Sequence, residues 1–202
     1  MKRICIIGNS NLGAFFKYIS LFNTKNLSFL IISAKNIKKN LSSNTKLIYI
    51  SNQNNEKFNR DAYKIIKKFN PNKVILFYTR KINSLIFKNF RTINIHNSFL
   101  PNYKGLHALK RSYKDNVKLI ISSSHYVSEK FDSGKIIHQI ATPVKKNYFS
   151  FFKNVSFFQR VVLLEALINF KKNNSFSIIN NETIICPGLG KKKINFKFWK
   201  KF

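Results

Sequence analysis

The stretch that decides the fold is "INIHNSFLPNYKG", residues 93–105. Side chains along a strand alternate between its two faces, so Asn94 and His96 share one face and Ile93 and Ile95 the other. The apolar pair anchors a buried strand. The polar pair then emerges, side by side, just before the chain enters a polar loop stopped by Pro101. A strand that ends by aiming an amide and an imidazole in the same direction implies a site at the rim of a sheet.

Upstream, "KVILFY" (73–78), "KRICIIG" (2–8), "LSFLIIS" (27–33) and "KLIYI" (46–50) read as further short buried strands. Between them, "NSNLGAFFKYISLF" (9–22) reads as a turn entering a helix, with Ser10 or Asn11 as its N-cap. "EKFNRDAYKIIKKF" (56–69) has apolar residues at helical spacing and is ended by "NPN". Strand–helix alternation of this kind predicts an α/β fold: a three-layer, Rossmann-like, mostly parallel central sheet with helices on both faces. Downstream of Pro101, a helix over 106–114 leads to strands within 118–127 and 135–144, joined by "SEKFDSG". A long apolar helix follows over 151–172, and "FSIINNETIICPG" (176–188) predicts a C-terminal hairpin turning at Asn180 and Asn181. The expected organisation is one domain over 1–190 and a basic tail over 191–202, with no internal repeat.

With 202 residues, 44% of them hydrophobic, the chain can build one core and not two generous domains. It lacks the run of about 18 apolar residues that a transmembrane helix needs. The apolar run near the N-terminus is too short for a secretory signal, and the expected location is the cytoplasm. Cys5 and Cys186 each sit in an apolar run, without metal-ligand spacing. The charge is extreme, with 37 Lys+Arg against 7 Asp+Glu and a net charge of +30. A basic nucleic-acid-binding module is one reading. The other is composition: Lys, Asn, Ile and Phe all have A/T-rich codons, and the lysines are spread along the whole chain. Either way a positive field steers anionic ligands inward. Acids this scarce are informative, and Asp132, between two apolar runs, needs a reason to be there.

In order and spacing, "INIHNSFLPNYKG" followed by "HYVSEKFDSGKII" resembles the signature of the folate-dependent formyltransferases. Asn94 and Asp132 stand 38 residues apart. Within the family, the chain is most similar to the single-domain glycinamide ribonucleotide formyltransferases. The resemblance implies a Rossmann-like fold, 10-formyltetrahydrofolate as co-substrate, no metal, and catalysis by Asn94, His96 and Asp132. The reaction is attack by a primary amine on the formyl carbon, with Asn94 and His96 as donors to the oxyanion. Asp132 is expected to favour protonated His96 and to help a water move the proton of the attacking amine.

The resemblance also assigns binding residues. Arg80 and Ile82 in "YTRKI" fall on the folate-side loop, and the backbone around Ser128 and Glu129 is expected to meet the pterin. Ser10, Asn11 and Leu12 are similar to a phosphate-binding turn, and Glu165 falls where a ribose-binding glutamate is expected. There are departures. The turn is one residue short, Val162 stands in place of a phosphate-binding lysine, and Asn97 in place of a proline. The acceptor therefore stays open between glycinamide ribonucleotide, in purine biosynthesis, and a nucleotide-linked amino sugar. The sequence implies no membrane partner and leaves a homo-oligomer open, and it argues against nucleic acid because binding phosphates does not require Asn94, His96 and Asp132.

Overall fold

The computed structural model describes residues 1–9, 12–169, 176–177 and 186–187. Seven strands form one sheet in the order β3-β2-β1-β4-β5-β6-β7. These are β1 (Lys2–Gly8), β2 (Leu27–Ser33), β3 (Thr45–Tyr49), β4 (Lys73–Phe77), β5 (Thr92–His96), β6 (Leu119–Tyr126) and β7 (Ile136–Pro143). The first five are parallel to their neighbours, whereas β6 and β7 run antiparallel. Strand β6 is antiparallel to both β5 and β7. A parallel return needs a long crossover, and the "SEKFDSG" segment between β6 and β7 is too short to supply one.

The strict period of 2 divides the core in two. Ile4 and Ile6 of β1, Phe29 and Ile31 of β2, and Ile93 and Ile95 of β5 face α1 (Gly13–Leu21) and α5 (Phe149–Asn169). Cys5 and Ile7, Leu30 and Ile32, and Val74 and Leu76 face α2 (Asn55–Phe69) and α3 (Ser84–Asn89). Both faces of the central strands are covered, which is why they read as continuous apolar runs and not as alternating ones. Each fully buried Ile or Phe stabilises the fold by about 1.5–3 kcal/mol. A third cluster joins Leu109 of α4 (Ala108–Lys114) to Ile120, Phe152 and Val155.

Local signals set the helix ends. The Asn54 side chain accepts the Lys57 N–H at 2.9 Å, and Asn70 closes α2 in a left-handed conformation with φ 48°. Leu12 stands at the cap of α1 without a side-chain capping bond. The expected caps, Ser10 and Asn11, lie outside the described residues, as do Asn180, Asn181 and the tail 191–202. Strands β8 (Phe176–Ser177) and β9 (Cys186–Pro187) pair antiparallel, the arms of the expected hairpin. Cys5 is fully buried in an apolar setting that pushes its thiol pKa up. Among the described residues no helix is long and apolar enough to cross a membrane.

Candidate functional site

Strand β5 brings the amide and imidazole to the sheet's carboxyl rim. Ile93 and Ile95 are fixed in the core against α1 and α5, so Asn94 and His96 must turn to the other face. Antiparallel pairing with β6 sets His125 directly beside Asn94. The loop between β6 and β7 folds back so that Asp132 closes the group. This loop depends on Gly134: a Cβ there would lie 1.7 Å from the Tyr126 carbonyl oxygen. Asp132 itself is left-handed, φ 46°, a region that Asp tolerates better than most residues.

The carboxylate of Asp132 is the hub. Its Oδ2 accepts the Gly105 N–H at 2.8 Å and lies 3.6 Å from His96 Nδ1. Its Oδ1 accepts from Asn94 Nδ2 at 3.2 Å and lies 3.3 Å from His125 Nε2. Burial pushes the carboxyl pKa up, but His125, His96 and the Gly105 N–H outweigh burial and hold it at about 2. Asp132 is therefore ionised at neutral pH.

His96 faces a carbonyl on its far side, with Nε2 2.6 Å from the Tyr103 oxygen. That nitrogen must carry the proton and donate. Burial pushes the His96 pKa down by more than the charge of Asp132 pulls it up. The pull of Asp132 toward the protonated ring is present, but in a ring only 7% exposed desolvation outweighs it.

His125 was assigned no role from the sequence, yet it belongs to the cluster. Its Nδ1 lies 2.9 Å from the Tyr126 oxygen, and its Nε2 lies 3.2 Å from Asn94 Nδ2 and 3.3 Å from Asp132 Oδ1. The signal that could have revealed it is strand pairing. Once β5 and β6 are antiparallel neighbours, the His of "SSSHYV" falls opposite the Asn of "NIH".

These groups open onto a cavity of about 410 Å³. Asn94, His96, His125 and Asp132 line it, together with Arg80, Ile82, Ser128 and Glu129. Arg80 is exposed and donates to the Asn52 carbonyl. Ile82 is buried and packs in the α2–α3 core. Ser128 Oγ donates to the Lys130 oxygen at 3.0 Å, and Glu129 pairs with Lys88 at 3.4 Å. The residues expected to bind the acceptor are distributed differently. Leu12 is 1% exposed and packed in the core, as is Val162, which stands in place of a phosphate-binding lysine. Glu165 is not among the lining residues; it accepts from Asn169 Nδ2 at 2.8 Å. Its end of α5 lies at the opposite edge of the sheet, where Lys2 at the start of β1 reaches the Ile168 oxygen. From α5 the cavity receives Arg160 instead. Among the described residues no group of three or more His, Cys, Asp or Glu could hold a metal ion.

The model of a family described as formyl transferase matches residues 21–151. The chain is 28% identical over 141 residues to "Formyltetrahydrofolate deformylase 1, mitochondrial" of Arabidopsis thaliana, covering 68% of this chain and 43% of that protein. It is 53% identical over 49 residues to the formyltetrahydrofolate deformylase of Bacillus subtilis, covering 24% of this chain and 16% of that one. The chain thus spans less than half the length of these curated relatives. Among solved structures, a phosphoribosylglycinamide formyltransferase from Campylobacter jejuni aligns with a TM-score of 0.66 at 24% identity, over 81% of this chain and 93% of that one. A glycinamide ribonucleotide transformylase from Symbiobacterium toebii gives a TM-score of 0.70 at 19% identity, over 92% and 94%. The match spans β2 to β7, including the loop and strands that build the rim, and the chain belongs to the formyl transferase family.

Proposed function

We propose that this chain moves the formyl group of 10-formyltetrahydrofolate to the amine of glycinamide ribonucleotide, a step of purine synthesis. The observation that carries formyl chemistry is the cluster of Asn94, His96 and Asp132 around one carboxylate at the cavity wall. The transferase reading is supported by the solved transferases above, which align over nearly their whole chains.

The proposed reaction moves one proton overall. The amine attacks the formyl carbon and its nitrogen forms the new bond. The carbonyl electron pair moves onto oxygen, and an N–H of Asn94 turns from its Asp132 or His125 partner to that oxyanion. One such donor in a dry site contributes about 3–4 kcal/mol to the transition state. Ionised Asp132, through a water, takes the amine proton. His96 can accept a proton on Nδ1 from this side and pass it to N10 of the folate as the C–N10 bond breaks. His125 acts as a positioning residue, holding Asn94 and Asp132 in register. Arg80, Ile82 and the backbone at Ser128 and Glu129 hold the folate.

A second reading is hydrolysis to formate, with water in place of the amine. The curated relatives favour it, since those named above are formyltetrahydrofolate deformylases. The test is incubation of the protein with 10-formyltetrahydrofolate, with and without glycinamide ribonucleotide, reading formate and formylated product separately. Formylated product only with the amine is the expected result. Formate in both cases selects hydrolysis, and no loss of the formyl group in either overturns both readings.

A further inference from the structure

Arg160 is a half-buried cation without a counter-charge among the described residues, and it sits in the wall of the cavity that holds Asp132. Its Nε makes one long contact, 3.4 Å to the Ser156 oxygen within its own helix. Its two terminal nitrogens have no hydrogen-bond or ion-pair partner among the described residues. The nearby carboxylates are committed elsewhere. Asp132 serves Asn94, the two histidines and Gly105, Glu129 serves Lys88, Asp115 accepts from Tyr103, and Glu165 accepts from Asn169. Glu56 and Asp61 belong to α2, on the other face of the sheet.

Burial pushes the Arg160 pKa down to about 10, so the guanidinium is still charged at pH 7. A half-buried charge without a fixed partner adds little to the fold. The guanidinium presents a planar fork of donors matched to carboxylate and phosphate oxygens. It also enters the cavity from the α5 face of the sheet. The loops bearing Arg80, Ile82 and Ser128 enter from beyond β4 and β6, so an acceptor at Arg160 and a folate on those loops would meet at Asn94.

We infer that Arg160 is the seat for an oxyanion of the acceptor, a phosphate or carboxylate carried by the amine. This rests on the transfer reading above and deepens it, because water as acceptor needs no such seat. It also replaces Glu165 and the lysine missing at Val162 as the group on α5 that selects the acceptor.

The experiment is calorimetric titration of wild-type, Arg160→Lys, Arg160→Gln and Arg160→Met proteins, first with 5,10-dideazatetrahydrofolate, then with glycinamide ribonucleotide on the folate-bound protein. Arg160→Gln is expected to weaken the ribonucleotide about 10- to 100-fold, the range for losing a hydrogen bond to a charged group, with Arg160→Lys between. The folate analogue is expected to bind all four alike. Inorganic phosphate should compete with the ribonucleotide in wild type and lose that effect in Arg160→Gln. Arg160→Met should melt no lower than wild type, which a purely structural arginine would not allow. If wild type binds the folate analogue but Arg160→Gln leaves the ribonucleotide unaffected, the seat is overturned and the transfer reading stands. Weakened folate binding in Arg160→Gln also overturns it, by assigning the cation to the folate's own carboxylates. Wild type that binds no folate analogue overturns both.

Discussion

Asp132→Asn isolates the charge at the centre of the site. The left-handed backbone at φ 46° suits Asn as well as Asp, and an amide oxygen can still accept the Gly105 N–H. What disappears is the ionised form that the two histidines and Gly105 hold at a pKa of about 2, against an ordinary 3.8. That difference corresponds to roughly 2 kcal/mol of linked stability. The sign follows from a pKa depressed on folding: the stabilisation is fully present above about pH 4 and is lost as the pH falls through about 2. Urea denaturation of wild type and Asp132→Asn at pH 7 should therefore differ by about 2 kcal/mol, with the gap closing toward pH 2. Turnover should fall by about 10²–10⁴, the usual worth of a positioned proton carrier. A variant that turns over within tenfold of wild type, or a stability gap equally large at pH 2, would refute the role of Asp132 as an ionised hub.

Other perturbations test the surrounding parts. Gly134→Ala drives a Cβ into the Tyr126 carbonyl, so the loop must shift; turnover should fall by more than tenfold and the melting temperature should drop, as thermal melting and steady-state assays can read. Because burial holds neutral His96 below its ordinary pKa, the acidic limb of the kcat profile should lie below pH 6.5, and a limb above 7 would contradict a neutral ring. His125→Phe removes the imidazole that contacts Asn94 and Asp132 and should lower kcat with little change in the folate KM; equal kcat would show that strand pairing alone positions Asn94. Glu165→Gln, remote from the cavity, should leave the acceptor KM within twofold.

Much of this was legible in the sequence because the alternation along β1, β2, β4 and β5 is a local property. Which residues share a face follows from spacing alone, and Asn94 with His96 is the clearest case. His125 was not legible, because its place depends on which strands pair and in what register. Helix α5 shows the same limit in another form. Arg160 and Glu165 are five residues apart, so they differ by about 7.5 Å along the axis and by roughly 140° around it. Sequence spacing gives that relation but not where the helix rests against the sheet. The contacts of Lys2 with Ile168 and of Lys73 with Leu167 fix that resting point, and they leave Arg160 at the cavity and Glu165 near the other edge.

The charge of +30 acquires a specific meaning at this point. On a protein of balanced composition a buried arginine usually finds a carboxylate, and the absence of one would be surprising. Here cations outnumber acids so heavily that an unpaired cation on the surface carries little information. Arg160 differs from the surface lysines in being half-buried in the wall of the cavity that holds Asp132. The same scarcity bears on Asp132. A chain that has so few carboxylates and still spends one on two histidines, an amide and a backbone N–H at a cavity wall is organised around that carboxylate. The positive field draws an anionic folate and an anionic acceptor toward the rim, and there the carboxylate of Asp132, set between two histidines, is placed to receive a proton.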